Sequence, residues 1–294
     1  INACYGGTAA LFDSYSWIHS PMWNGKYAVV ITGDIAMYES GPARPTGGAG
    51  VCAMLIGPEA PIKITNSISS YFEHAYDFYK PNMNSEYPVV DGKFSNECYL
   101  RAIDNCYQGF IDKNNKKIDY FDYGIFHAPY GKMVYKAFER LIKNDNSNST
   151  EISSEDVYSQ FLKKVDPGLL LSSECGNMYT GSVYACIYSL LAQPVNHLVN
   201  KDLLVFSYGS GLASSMFSLN LTSNYKQLEK LSKKNSIDRR LNLRRKIEPD
   251  QYDHIINMRE NKEILNKDYL QKFTPNVFPE SYYLKSYDNK HRRT

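Results

Sequence analysis

The chain lacks the features that mark membrane-spanning, secreted and metal-binding proteins. No uninterrupted apolar run approaches the roughly 18 residues needed to cross a bilayer, and no basic-then-apolar signal segment begins the sequence. Its six cysteines are scattered without a CxxC pair, so their spacing predicts neither a zinc site nor a disulfide framework. We therefore expect a cytoplasmic protein with reduced thiols, no bound metal and no membrane contact.

The chain also lacks a large excess of charge of either sign. Its 294 residues carry a net charge of +2, and hydrophobic residues make up 43% of the chain, which is typical of a folded globular protein rather than a disordered one. One basic cluster stands out, but acidic residues are interleaved around it. A solvated helical surface is the better interpretation, and we expect no nucleic-acid partner. The cluster comprises Arg239, Arg240, Arg244, Arg245 and Lys246.

What the chain does contain is an alternation of apolar runs with helical periodicity, which favours an α/β fold. Strands are predicted at 27–32, 51–56, 120–127, 169–171, 203–208, 213–221 and 282–285, the first two with both faces buried. Helices are predicted from Thr8, from Cys98, around 134–141, and at 156–165 and 180–193, with a polar loop at 144–153.

The segment Asn2–Ala10 places a cysteine immediately before a run of small residues that opens a helix near Thr8. The free N–H groups and the dipole at a helix start stabilise a thiolate, so we expect Cys4 to be a nucleophile with a lowered pKa. Gly6 and Gly7 offer N–H groups to an oxyanion. The alternative is a buried structural cysteine, the commoner role of an isolated cysteine.

A second glycine motif, at 48–53, matches the GxGxxA pattern of dinucleotide-binding loops. Such a loop follows a strand and opens a helix, whereas this motif opens the predicted strand at 51–56. A tight turn beside the site is the better interpretation. We expect no nicotinamide and no other cofactor.

Eight segments, in order along the chain, match one known family: 2–10, 33–38, 43–50, 88–93, 126–130, 176–180, 206–211 and 290–293. Together they resemble the 3-hydroxy-3-methylglutaryl-CoA synthase family. The resemblance implies a thiolase-like α/β fold, in which two similar halves pack about a pseudo-twofold axis with the site between them. We expect the halves at 1–115 and 116–294, with the first half incomplete.

The sequence suggests a chain that is truncated at both ends. It begins with Ile1, and a strand should precede the helix that carries the nucleophile. In the family, a glutamate upstream of the cysteine motif acts as general base, and no residue of this chain corresponds to it.

The resemblance implies an acyltransferase of the mevalonate route to isoprenoids and sterols. Cys4 would accept the acetyl group of acetyl-CoA, and condensation with acetoacetyl-CoA would follow, with His127 hydrogen-bonding and protonating the ketone oxygen. A homodimer is expected. Thiolase and ketoacyl synthase activities are rivals, but those families pair their cysteine with other histidine motifs. A different alternative is a non-catalytic remnant that binds CoA or a partner.

The resemblance gives the other site residues supporting roles. Lys132 and Lys136, four apart on one helix face, are expected near the CoA phosphates and pantetheine. Hydrogen bonds to the bound thioester are implied for Thr46, Asn177 and Ser210, and site orientation for Asp34, Tyr38 and Asp91. Local turn capping is a rival role for the two aspartates. Pro42 departs from the family, since animal members commonly place a ligand-contacting Asn there.

Overall fold

A computed structural model describes residues 2, 4–145, 152–233 and 237–261. The described residues form two compact units, one drawn from 1–81 with 87–242 and the other from 82–86 with 243–261. The predicted strand at 282–285, the matching segment at 290–293 and most of the predicted loop at 144–153 lie outside the described residues.

Three helices of the first unit position the site. Helix α1 is Gly6–Ile18, α2 is Gly92–Asn114 and α6 is Ser182–Leu191. The others are α3 (Gly131–Asp145), α4 (Ser154–Lys164), α5 (Leu170–Cys175), α7 (Tyr225–Lys233) and α8 (Ile237–Asn242).

The described strands are β1 (Ala28–Ile35), β2 (Ala49–Ile56), β3 (Ile62–Phe72), β4 (Phe78–Tyr79), β5 (Val89–Val90), β6 (Tyr123–Phe126), β7 (Asp202–Gly209) and β8 (Ala213–Leu221). They form three sheets. The largest has the order β3-β8-β7-β6, in which β6 and β7 are parallel and the other neighbours antiparallel. Two further sheets have two antiparallel strands each, β1 with β2 and β4 with β5.

Both faces of the four-stranded sheet are covered by helices, and alternate residues of a strand face each side. On β7 and β8, Ser207 and Ser215 hydrogen-bond to residues at the start of α1. Phe206 packs against Tyr99 of α2, and Ser214 contacts Cys106 of the same helix. The sheet therefore lies between α2 on one side and α1 on the other.

Helix α1 also contacts β1 and β2, so it lies between the small and the large sheet. Its Phe12 ring meets Phe217 of β8 at 5.2 Å, edge to face. Helix α6 is joined to α1 by a hydrogen bond between Tyr184 and Thr8 (2.8 Å), and it contacts β6 and β7. A layer containing α1 and α6 thus separates the two sheets.

The prediction that β1 and β2 are buried on both faces is wrong for the described residues. Burial alternates along both strands, since only the face toward α1 is covered. On β1, Val30 and Thr32 are buried whereas Ile31 is 69% exposed. The face opposite α1 carries four more exposed large apolar residues, Val29, Ile35, Val51 and Leu55.

Two further predictions differ from the structure. The apolar run at 169–171 is the beginning of α5 and not a strand, because a short apolar run fits either element and periodicity cannot distinguish them. Strand β3 was not predicted, since the alternation of apolar and polar residues over 62–65 is interrupted at 66–67, where the pairing with β8 shifts register between Ile64 and Ile68. The proposed half boundary at residue 115 stays a prediction, although β3, which precedes it, is a strand of the four-stranded sheet and α2, which also precedes it, packs on that sheet.

The described part of the second unit contains helix α9, Pro249–Glu260. It begins with a capping box in which Glu248 and Gln251 satisfy each other's backbone N–H groups. Arg259 forms an ion pair with Glu86 (3.2 Å) within this unit. Across the described residues, no helix of either unit is both long and apolar enough to cross a membrane.

Candidate active site around Cys4

The cysteine predicted as nucleophile lies two residues before α1, which begins at Gly6 rather than at Thr8. The carbonyl oxygen of Tyr5 accepts the N–H groups of Thr8 (3.0 Å) and Ala9 (3.1 Å). The N–H group of Gly7 donates to Thr180 Oγ1 at 2.5 Å. The expectation that Gly7 offers a free N–H to an oxyanion is therefore wrong, because this contact with the 179–181 turn uses it.

Asn2 holds the cysteine-bearing turn against the connection between β7 and β8. Its Nδ2 donates to the carbonyl oxygen of Ser210, and its Oδ1 accepts the N–H of Tyr5 at 3.2 Å. The fit is tight at Gly209, where an added Cβ would lie 2.6 Å from Asn2 Cγ and 2.8 Å from Tyr5 N. Only glycine at this position lets the turn sit where it does.

Hydroxyl groups dock the start of α1 on the large sheet. The hydroxyl of Tyr5 lies 2.6 Å from Ser215 Oγ, and buried Thr8 donates to Ser207 Oγ at 2.7 Å. Two of these hydroxyls have a second partner, because Ser215 Oγ lies 2.7 Å from Ser70 Oγ and Thr8 Oγ1 lies 2.8 Å from the Tyr184 hydroxyl. A buried hydrogen-bonded network therefore holds the start of the helix. The position of Cys4 is thus fixed on both sides of the residue.

The thiol of Cys4 does not have the lowered pKa that its place before a helix predicts. Burial raises its pKa far above the ordinary value, and the negative charges of Asp34 and Asp77 raise it further. Desolvation and two nearby carboxylates both disfavour the thiolate, and together they outweigh the helix N-terminus. The resting thiol is therefore protonated at neutral pH.

This raised pKa predicts how Cys4 reacts with iodoacetamide. We expect the alkylation rate to rise about tenfold per pH unit up to about pH 10, without the plateau that an ordinary thiol reaches near its pKa of about 8.5. Peptide mass spectrometry would follow Cys4 separately from the other five cysteines, with glutathione as the reference thiol. If the alkylation rate of Cys4 levelled off at or below the pH at which that of glutathione does, the burial of the thiol would be contradicted.

Sequence reasoning missed Asp77, which is completely buried beside the cysteine. Its Oδ1 accepts the N–H of Gly211 (3.0 Å), and its Oδ2 accepts the hydroxyl of Tyr208 (3.3 Å). The only signal in the sequence is an aspartate within the otherwise apolar and aromatic run from Ala75 to Tyr79. A buried carboxylate next to a nucleophile is a common feature of functional sites.

His127 follows the last residue of β6, where its N–H donates to the carbonyl oxygen of Phe206 (2.8 Å). The residue is only 2% exposed, and its Nδ1 has no hydrogen-bond partner among the described residues. Burial lowers the pKa of the imidazole from 6.5 to about 3, so the ring is neutral at physiological pH. Its ring lies 6.3 Å from that of Tyr208, which in turn contacts Asp77.

Asn177 and Tyr38 belong to one hydrogen-bonded group. Asn177 donates from Nδ2 to the Tyr38 hydroxyl (3.4 Å), while its Oδ1 accepts from Tyr179 N and Ser182 Oγ, both at 2.9 Å. Its backbone N–H donates to the carbonyl oxygen of Thr46 at 2.8 Å. The Thr46 hydroxyl itself donates within its own turn, to Ala43 O at 2.7 Å.

The remaining residues predicted for the site differ in their positions and contacts. Asp91 caps α2 by accepting the N–H of Phe94 (3.0 Å), which is the alternative role proposed for it. Asp34 accepts the N–H of Ile35 (2.8 Å) and also acts electrostatically on Cys4. Lys132 and Lys136 are both exposed on the first turns of α3.

The structure thus gathers Cys4, Asp34, Tyr38 and Asn177 with the unpredicted Asp77 and Tyr179, and it links His127 to them through Tyr208. Ser210 borders this group, because its carbonyl oxygen binds Asn2 and its hydroxyl lies 3.5 Å from Ser95 Oγ. Among the residues that the structure describes, no cluster of three or more His, Cys, Asp or Glu side chains could hold a metal ion.

Solved structures and sequence relatives define the class of this site. A structure of MvaS in complex with 3-hydroxy-3-methylglutaryl coenzyme A superposes with a TM-score of 0.80 at 25% identity, over 100% of this chain and 72% of that one. A crystal structure of HMG-CoA synthase complexed with CoA gives a TM-score of 0.73 at 25% identity, over 86% of this chain and 62% of that one. The chain is therefore an α/β protein of thiolase-like fold, as predicted.

Family models and curated relatives give the particular family. The model of the hydroxymethylglutaryl-coenzyme A synthase N-terminal domain matches residues 1–61, and that of the C-terminal domain matches 62–162 and 158–294. The chain belongs to the hydroxymethylglutaryl-CoA synthase family. It is 43% identical to hydroxymethylglutaryl-CoA synthase A of Dictyostelium discoideum and 41% identical to the mitochondrial synthase of Rattus norvegicus, over 98% and 99% of this chain. It spans 66% of the length of each of these relatives.

Proposed function

We propose that this chain carries the acyl-transfer centre of a hydroxymethylglutaryl-CoA synthase, an acyltransferase. Its substrates would be acetyl-CoA, acetoacetyl-CoA and water, and its products 3-hydroxy-3-methylglutaryl-CoA and CoA. The single observation that supports this most is the position of Cys4, which Asn2 and Gly7 fix just before α1 and between the two sheets. Family membership and the neighbours solved with CoA and with 3-hydroxy-3-methylglutaryl coenzyme A support the substrate class.

In the first step, the sulfur of Cys4 attacks the acetyl carbonyl carbon of acetyl-CoA. A bond forms between that carbon and Cys4 Sγ, the bond to the CoA sulfur breaks, and the thiol proton ends on the released CoA thiol. Because the pKa of Cys4 is raised, its proton must leave during the attack and not before it. The carboxylates of Asp34 and Asp77 act electrostatically on the thiol, and the neutral imidazole of His127 is linked to Asp77 through Tyr208.

In the second step, the acetyl methyl group loses a proton and attacks the ketone of acetoacetyl-CoA. We propose that His127 donates a hydrogen bond to the ketone oxygen as negative charge develops there. A neutral imidazole suits this role, since it donates without bringing a full charge into a buried site. The family resemblance assigns removal of the methyl proton to a glutamate upstream of the cysteine motif. Condensation leaves the product joined to Cys4 as a thioester, and water then hydrolyses that bond, which releases 3-hydroxy-3-methylglutaryl-CoA and returns the Cys4 thiol.

The remaining proposed contacts concern the CoA portion and the assembly. Exposed Lys132 and Lys136 would meet the CoA phosphates, while Asn177, Ser210 and Thr46 would meet the thioester. Asp34 and Tyr38 would support the site beside Cys4. A homodimer, a place in the mevalonate route, a cytoplasmic location and the absence of any cofactor stay predictions.

Incubation with acetyl-CoA tests the proposal. We expect intact mass spectrometry to find one acetyl group on the chain, and peptide mapping to place it on Cys4. Cys4→Ala should take up none, whereas Cys175→Ala, which removes another partly buried cysteine, should be acetylated like the parent. CoA binding without acetylation in the parent would instead favour the alternative, a non-catalytic CoA-binding protein.

A further inference from the structure

The side-chain amide of Asn177 is held by two donors that meet on its oxygen. Its Oδ1 accepts the backbone N–H of Tyr179 and the hydroxyl of Ser182, both at 2.9 Å. The residue is buried, and its own backbone N–H donates to the carbonyl oxygen of Thr46 at 2.8 Å. An amide carries an accepting oxygen and a donating nitrogen at the same end, so two donors on the oxygen fix the direction of both.

The hydroxyl of Ser182 has its own direction fixed. Ser182 is the first residue of α6 and is only 1% exposed. Its Oγ accepts the backbone N–H of Met178 at 2.9 Å. A hydroxyl has a single hydrogen to donate, and here that hydrogen points to Asn177 Oδ1. A one-way chain of hydrogen bonds therefore runs from Met178 through Ser182 to Asn177.

The nitrogen of Asn177 is left to face Tyr38. Nδ2 donates one of its hydrogens to the Tyr38 hydroxyl at 3.4 Å, and the described residues offer no acceptor for the other. Burial raises the pKa of Tyr38 most, and charge on the Cys4 sulfur adds to the rise, so this end of the amide faces the side of the nucleophile. Turning the amide over would break both bonds to Oδ1 and set two donors against Nδ2, which is costly in a buried position.

The segment that carries Ser182 also seats the start of α1. Thr180 accepts the N–H of Gly7 at 2.5 Å, and the hydroxyl of Tyr184 lies 2.8 Å from Thr8 Oγ1. Ser182 stands midway between Thr180 and Tyr184 in the chain. The orientation of Asn177 and the position of the cysteine-bearing turn are therefore set by one short piece of backbone.

We infer that Ser182 is a positioning residue for acyl transfer, because it holds the Asn177 amide with its nitrogen toward the acyl group on Cys4. This inference rests on the proposed function, in which Asn177 meets the thioester. The acetyl oxygen gains negative charge when the carbonyl carbon is attacked, and an N–H group already aimed at that oxygen stabilises the charge. Without Ser182, one donor remains on Oδ1 and the amide turns more freely. The hydroxyl of Ser182 is used by Met178 and Asn177, so Ser182 acts only through its neighbour.

A double-mutant cycle on the acetylation of Cys4 tests this role. Intact mass spectrometry would follow the rate over a range of acetyl-CoA concentrations. Asn177→Ala should lower the maximal rate about 100-fold, since it removes a donor to the developing oxyanion. Ser182→Ala should lower it about tenfold, with the half-saturating concentration of acetyl-CoA unchanged within about twofold. Added to Asn177→Ala, the Ser182 substitution should lower the rate by less than about another twofold, because both act on one group.

Ser189→Ala is the matched control. Ser189 is a second buried serine of α6, and its Oγ accepts the N–H of Leu171 (3.1 Å) and donates to the carbonyl oxygen of Ala185 (2.8 Å). It thus has the same pattern of bonds without the contact with Asn177. This variant should keep the maximal rate of the parent within about twofold. An equal loss in Ser189→Ala, or a full loss of about tenfold from Ser182→Ala in the Asn177→Ala chain, would overturn the inference.

Side-chain amide exchange measures the orientation without any substrate. With isotope-labelled asparagine, NMR would follow the exchange of the Asn177 side-chain amide with water, its signal being the one absent from Asn177→Asp. We expect exchange at least about tenfold faster in Ser182→Ala than in the parent or in Ser189→Ala. If Ser182→Ala unfolds, Ser182→Cys takes its place, because a thiol is a weak donor of similar size.

Failure of the acyl transfer and failure of the positioning role give different results. If the parent takes up no acetyl group but Ser182→Ala speeds the exchange, the proposed acyl transfer fails and the orientation of the amide by Ser182 stands. If the parent is acetylated and the exchange is unchanged in Ser182→Ala, the positioning role fails and the acyl transfer stands.

Discussion

Acidification from pH 7.5 to about 4.5 should reduce the free energy of unfolding by about 3 kcal/mol through His127 alone. In the unfolded chain this histidine binds a proton below its ordinary pKa of 6.5, whereas burial lowers its folded pKa to about 3. The unfolded state therefore binds more protons in this range. The stabilisation is complete above pH 6.5 and is lost as the pH falls toward 3, by about 1.4 kcal/mol per pH unit.

Urea unfolding followed by tryptophan fluorescence, from Trp17 in α1 and from Trp23, would measure this loss. His127→Leu removes the titrating group, so its free energy of unfolding should fall by about 3 kcal/mol less than that of the parent over the same pH range. His197→Leu is the control, because His197 is exposed and its variant should follow the parent. Equal pH dependence in the parent and His127→Leu would show that water reaches the imidazole in solution.

Gly209→Ala should reduce acetylation of Cys4 by about 100-fold. The added methyl group would overlap Asn2 and lie 2.8 Å from the backbone nitrogen of Tyr5, so the cysteine-bearing turn must move away from the end of β7. A displacement of about 1 Å at a reacting atom is enough for such a loss. The large sheet itself should keep its pairing, because the atoms that the methyl group meets belong to the turn and not to a neighbouring strand.

A second measurement makes this prediction independent of enzyme activity. Displacing the turn should bring the thiol closer to water and lower its pKa, so iodoacetamide should alkylate Cys4 faster in Gly209→Ala than in the parent at neutral pH. Gly131→Ala is the matched control, since an added Cβ there meets nothing within 4 Å. Unchanged alkylation and acetylation in Gly209→Ala would mean that the turn is not seated against β7 as described.

Much of the fold follows from local sequence patterns. The strand predicted at 213–221 is β8, and the helix predicted from Cys98 lies within α2. The helix has buried residues at three- and four-residue steps along one face, and the strand is a run buried on both faces. The errors occur where that signal is weak. The run at 169–171 is too short to separate a strand from a helix, and the irregular pairing of β3 hides its alternation.

Sequence motifs identified the site residues, whereas their protonation depends on contacts with residues far away along the chain. The sequence places Cys4 before a helix and His127 at the end of a strand, and both positions are as predicted. The direction of the Cys4 pKa was wrong, since burial and Asp77, 73 positions away, outweigh the local helix dipole. Electrostatic effects act through space, and one-dimensional spacing cannot measure them.

The sequence by itself determined the family, the α/β class and which cysteine and histidine to examine, because these depend on residue types at fixed local spacing. The tertiary structure alone decided that the cysteine is protonated, that Gly7 is already hydrogen-bonded and that the Asn177 amide donates to the Tyr38 hydroxyl. Each of these facts depends on groups far apart in the chain that only packing brings within a few ångströms of one another.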